Sequence, residues 1–78
     1  MKIPRDVSGD VFIRALQGLG YNVMRQKGSH VRLRHPGPPA HLISVPRHSS
    51  LKVGTLQALL NEVSFMRSRT IESILSLL

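Results

Sequence analysis

Residues 21–35 read YNVMRQKGSHVRLRH, and the reading of this stretch decides the fold. YNVMRQK and SHVRLRH are two short runs joined at Lys27-Gly28, where a glycine admits the positive φ of a tight hairpin turn. In the second run Ser29, Val31 and Leu33 alternate with His30, Arg32 and Arg34. A strand points successive side chains to opposite faces, so one face takes Val31 and Leu33 while the other takes an imidazole and two guanidinium groups. The first face needs a cover, and the second belongs in water.

The flanking segments supply that cover. Residues 4–21, PRDVSGDVFIRALQGLGY, read as a helix capped by Ser8 or Asp6, with Asp10 in its first turn and Gly20 as its stop. Phe12, Ala15, Leu16 and Leu19 recur at helical spacing and form one apolar stripe. After the hairpin, PGPPA (36–40) is a rigid loop that cannot join a ladder, and HLISV (41–45) makes a third strand ended by Pro46. LKVGTLQALLNEV (51–63) predicts a second helix with Val53, Leu56, Leu60 and Val63 on one side. SRTIESILSLL (68–78) predicts a shorter third helix carrying Ile71, Ile74, Leu75 and Leu78. The order implies an α+β domain, α-β-β-β-α plus a short C-terminal helix, in which a three-stranded antiparallel sheet has its helices on one face.

A chain of 78 residues predicts one domain, residues 1–78. Aromatic residues make up only 4%, so the core must be aliphatic. Without cysteine there are no disulfides and no thiolate metal sites. The opening MKIPRDVSGD is too polar for a secretory signal. No stretch approaches the roughly 18 apolar residues of a membrane span. A cytoplasmic protein with no membrane partner is expected.

Lys and Arg number 11 against 4 Asp and Glu, a formal net charge of +7. Between Asp10 and Glu62 there is no acid at all, while Arg14, Arg25, Lys27, Arg32, Arg34, Arg47 and Lys52 all fall there. Cations segregated in this way create a positive field that attracts nucleic acid or an acidic protein.

His30 is the candidate for chemistry, because an imidazole exchanges protons near neutral pH. RNA brings its own nucleophile, the 2′-hydroxyl beside the scissile phosphate. A nuclease therefore needs little beyond proton transfer and cations for the charge that develops on phosphorus. His30 supplies the first, and Lys27, Arg32 and Arg34 the second. Gly28 gives backbone access beside the histidine, and Ser29 is placed to orient a phosphate. His48, in the loop before the second helix, reads as a second proton-transfer group, a phosphate contact or a capping residue. Lys52 precedes Gly54 and Thr55 at the start of that helix, where exposed amides suit an anion. For Gly54 itself, tight packing of helix on sheet is the preferred reading over phosphate approach. Histidines at 30, 35, 41 and 48 lack the supporting carboxylates and spacing of a metal site, so no metal and no other cofactor is expected. Serine-hydrolase, phosphate-loop and dinucleotide patterns are missing.

Three stretches together, MKIPRDVSG (1–9), LGYNVMRQKGSH (19–30) and VPRHSSLKVGTLQALL (45–60), resemble the HicA toxin family of small mRNA interferases, with the likeness running from Met1 to about Val63. The resemblance implies a fold like that of double-stranded-RNA-binding domains. It maps the family's catalytic histidine onto His30 within Gly28-Ser29-His30. It also implies a toxin that cleaves mRNA without metal, a HicB-like antitoxin as partner, and a free toxin that is a monomer. A single tyrosine and two phenylalanines offer few stacking platforms, which favours backbone recognition over base reading. Composition alone leaves open a non-catalytic double-stranded-RNA-binding module, and a domain that docks only an acidic protein.

Overall fold

The computed structural model describes residues 3–78; Met1 and Lys2, part of the opening stretch of the resemblance, lie outside the described residues. Helix α1 spans Gly9–Gly18, strands β1, β2 and β3 span Asn22–Lys27, His30–His35 and His41–Pro46, and helices α2 and α3 span Val53–Arg67 and Ile71–Leu75. The strands form one antiparallel sheet in the order β1-β2-β3. The architecture is the expected α+β arrangement.

Alternation in β2 and β3 builds the core. Val31, Leu33, Ile43 and Val45 turn inward and are buried, while His30, Arg32, Arg34, Leu42 and Ser44 face out. Phe12 and Leu16 of α1, Leu56, Leu59, Leu60 and Val63 of α2, and Ile74 of α3 close over the inward set in a single cluster. Burying one such side chain contributes about 1.5–3 kcal/mol, so this cluster fixes which face of the hairpin is wet.

Local signals end the helices as read. The Ser8 hydroxyl accepts the Val11 N–H at 3.1 Å, which makes Ser8 rather than Asp6 the cap of α1. At the other end Gly20 follows the helix with φ +102°. Gly9 is needed for space: a Cβ there would lie 2.0 Å from the Pro46 carbonyl oxygen. Its N–H donates to the His48 carbonyl at 2.9 Å, clasping the start of α1 to the loop after β3.

Four readings change. Ser29 lies in the turn and is exposed, outside the alternation of β2. Val53 is 43% exposed because it begins α2 beyond the reach of the core, and that helix runs four residues past Val63 to Arg67. Leu78 follows α3 and is also partly exposed. Gly54 is exposed with nothing within 4 Å of an added Cβ, so close packing is not its role.

At the end of the sheet remote from the hairpin turn, two histidines are structural. Buried His41 accepts the Tyr21 hydroxyl at Nδ1 (2.7 Å) and donates from Nε2 to Glu62 (2.8 Å), the tautomer that a carboxylate acceptor requires. His35 donates from Nε2 to the Leu19 carbonyl and accepts the Gly37 N–H at Nδ1, where Arg67 also points. The Tyr21 ring stacks edge-on against both imidazoles. Burial pushes the Tyr21 hydroxyl above its ordinary 10.0; Arg67 opposes this and Glu62 adds to it. The fold therefore holds the neutral phenol, and that stabilisation is complete below pH 10.0 and lost as pH climbs through the raised value. Since Tyr21 is the only tyrosine, a phenolate absorbance titration reads it alone, and its midpoint should lie above 10.0 and coincide with loss of the fold. Tyr21→Phe, which leaves the His41 Nδ1 without its donor, should lower unfolding free energy by about 1–3 kcal/mol in urea melts.

Candidate nucleic-acid interface

The outward face of the sheet is a grid set by strand register. Lys27 pairs with His30, and His30 with Pro46; Arg25 pairs with Arg32, and Arg32 with Ser44; Arg34 lies between Asn22 and Leu42. Directly opposed residues share a face, with Cα atoms about 4.5–5.5 Å apart.

One irregularity shapes this grid. The β1–β2 register shifts between Val23 and Arg25, so Met24 is an extra residue in β1. In regular alternation Asn22, Met24 and Gln26 would share one face, and Arg25 and Lys27 would turn toward the helices with Val23. The bulge absorbs one residue and reverses that assignment for the rest of the strand. Arg25 and Lys27 thereby join His30, while Val23 and Gln26 stay on the side of Ile13 and Val31.

The result is an open depression of about 450 Å³ lined by Arg25, Lys27, His30, Arg32 and Ser44. Three fixed cations, one imidazole and one hydroxyl meet there with no carboxylate. Two of the acids are occupied elsewhere. Asp10 receives Arg47 through Nε (2.8 Å) and Nη2 (3.3 Å), and Glu62 holds His41. The carboxylate of Asp10 raises the Arg47 pKa by its hydrogen bond and its charge. Arg47 also reaches Gln26, so this residue, counted among the segregated cations, clamps the loop after β3 to α1 and β1.

The turn beside the depression is tightly held. Gly28 has φ +59°, the left-handed conformation that a glycine adopts without strain. The Ser29 carbonyl accepts the Arg47 N–H at 2.6 Å, and the Gly28 carbonyl accepts the Gln26 side-chain amide at 3.0 Å. Both backbone positions next to His30 are thus fixed.

Of the residues the sequence nominated, Lys27, His30 and Arg32 line the depression, and Gly28 and Ser29 form the turn between Lys27 and His30. Arg34 lies on the same face, one pair further along β2. Exposed His48 and Lys52 lie outside the depression, on the loop after β3 and at the N-cap of α2, where Lys52 makes no side-chain capping bond. Arg25 and Ser44 were missed. Ser44 was findable, since alternation from Val45 places it outward; Arg25 required the bulge.

A second depression, of about 340 Å³, opens near His35 and Arg67. Its Arg67 guanidinium is committed to His35 and to the Pro39 carbonyl, so the site serves the fold. Among the described residues no three His, Cys, Asp or Glu side chains gather as a metal site would require.

Residues 9–64 match the family described as HicA toxin of bacterial toxin-antitoxin. The chain belongs to the HicA toxin family, and so to the toxin half of toxin–antitoxin pairs, whose partner is an antitoxin. The match includes the whole sheet and most of α2, but of the opening stretch 1–9 only Gly9. No curated protein and no solved structure matches the chain.

Deleting Met24 removes the extra residue and leaves Asn22, Arg25 and Lys27 in regular alternation on one face. Circular dichroism and urea melts should show a folded protein, and the basic face should keep its affinity for an RNA oligonucleotide within about threefold, a shift below 1 kcal/mol.

Proposed function

We propose that this protein is an endoribonuclease toxin that cleaves mRNA through His30 and thereby stops translation. The observation that supports the reading is the exposed imidazole of His30 in a depression otherwise lined by cations and a hydroxyl. Hydrogen bonds to imidazoles belong to His35 and His41, while His30 faces water beside Lys27 and Arg32.

The chemistry follows from what the face offers. His30 takes the proton of a ribose 2′-hydroxyl as that oxygen bonds to the adjacent phosphorus. The P–O5′ bond breaks, the leaving oxygen is protonated from solvent at this open surface, and a 2′,3′-cyclic phosphate and a 5′-hydroxyl remain. Negative charge gathers on the non-bridging oxygens in between, where fixed cations stabilise it more than they stabilise the ground state. No metal enters this route. Lys27, Arg32 and Arg34 hold the backbone, with His48 and Lys52 as outlying contacts, so sequence preference is weak and salt dependence steep.

A HicB-like antitoxin fits the same face by presenting acidic groups to it, which blocks RNA by occupancy. The free toxin acts as a monomer in the cytoplasm. Among the described residues no helix is long and apolar enough to cross a membrane.

Labelled RNA incubated with purified protein, with and without EDTA, tests the reading. Cleavage should survive chelation, fail on an all-deoxy oligonucleotide, and fall by about 10²–10⁴-fold in His30→Ala while RNA binding persists. Binding without strand scission by the wild type would instead establish a non-catalytic RNA-binding module. Absence of any salt-sensitive RNA binding would point to an acidic protein as the sole partner.

A further inference from the structure

We infer that Arg25 and Arg32, opposed across β1 and β2, form a two-guanidinium clamp on the scissile phosphate, next to the ribose that His30 deprotonates, with the Ser44 hydroxyl as the third donor. The inference rests on the ribonuclease reading and assigns to it residues that the Gly-Ser-His element does not contain.

Register carries the argument. On the outward face the first row from the turn holds Lys27, His30 and Pro46, and the next holds Arg25, Arg32 and Ser44. Two residues along a strand advance about 6.6–6.8 Å. An imidazole at a ribose in the first row therefore has the second row within reach of the neighbouring phosphate. Each guanidinium presents a planar fork of donors suited to phosphate oxygens, and the serine hydroxyl adds one more.

Electrostatics point the same way. Like charges directly opposite in an antiparallel pair destabilise the sheet. Arg25 and Arg32 are such a pair, with Lys27 on the same face and no carboxylate in the lining. Arg47, by contrast, is neutralised by Asp10 and also donates to Gln26. The Arg25–Arg32 repulsion is relieved when an anion sits between the two, so occupancy should stabilise the fold as well as position the substrate. The bulge at Met24 brings about this juxtaposition, while Val23 and Gln26 on its two sides pair with the inward-facing Leu33 and Val31.

Two readouts separate this inference from the reading beneath it. Inorganic phosphate should raise the wild-type melting temperature, and Arg25→Gln and Arg32→Gln should each lose most of that rise. Arg14→Gln, which removes the same charge from the exposed surface of α1, should keep it. On RNA, Arg25→Gln should lower kcat/KM by about 100-fold or more, Ser44→Ala by about tenfold, and Arg25→Lys should recover part of the loss, as expected for donors to a developing oxyanion. Arg25→Gln that cuts RNA as well as Arg14→Gln, with His30→Ala inactive, overturns the clamp and leaves the ribonuclease standing. Phosphate stabilisation lost in Arg25→Gln, but with wild-type protein unable to cut RNA, overturns the assignment to a scissile phosphate along with the nuclease reading. The combination expected is loss of both phosphate stabilisation and turnover in Arg25→Gln and Arg32→Gln.

Discussion

Burial of Val31 and Leu33 beneath the helices is the constraint on which the site depends. Those two side chains have no other place in which to leave water, and a strand that turns them inward must turn His30, Arg32 and Arg34 outward. The basic face is thus a consequence of the core. A register slip of one residue would carry the guanidinium groups under α1 and α2, where an unpaired charge costs several kcal/mol. Specification of the core and specification of the site are the same event in β2.

Charge is arranged by what neutralises it. Arg47 is paired with Asp10 on the helix side, a surface contact, screened by water, that holds the loop carrying the Ser29–Arg47 backbone bond. Arg67 is spent on His35 and Pro39. Arg25, Lys27 and Arg32 line a depression that contains no acid. A formal charge of +7 is therefore a poor guide to the field at any one place, and the sheet face is where it concentrates.

The four histidines divide by position along the strands. His35 and His41 face each other across the β2–β3 ladder at the end remote from the hairpin turn, and both bond to the fold: His41 links Tyr21 to Glu62, and His35 links Leu19 to the proline loop. His30 and His48 are exposed, and His30 alone lines the basic depression. Residue type could not make this distinction, because all four are the same imidazole. What separates them is whether a carboxylate, hydroxyl or carbonyl arrives from another element to meet the ring.

Local signals in the chain were enough for the element order, the hairpin at Gly28, a polar cap at Asp6 or Ser8 before α1, and the inward and outward sets of β2. These are local properties, fixed by period, by the dihedral freedom of glycine and by short capping bonds. Tertiary structure alone decided that Arg25 joins His30, that Arg47 and Arg67 are engaged by the fold, and that Gly54 and Val53 stand in water. A bulge exists only relative to a partner strand, and an arginine is paired or free only according to what a distant segment brings beside it. Both depend on chain segments far apart in sequence, which periodicity cannot register.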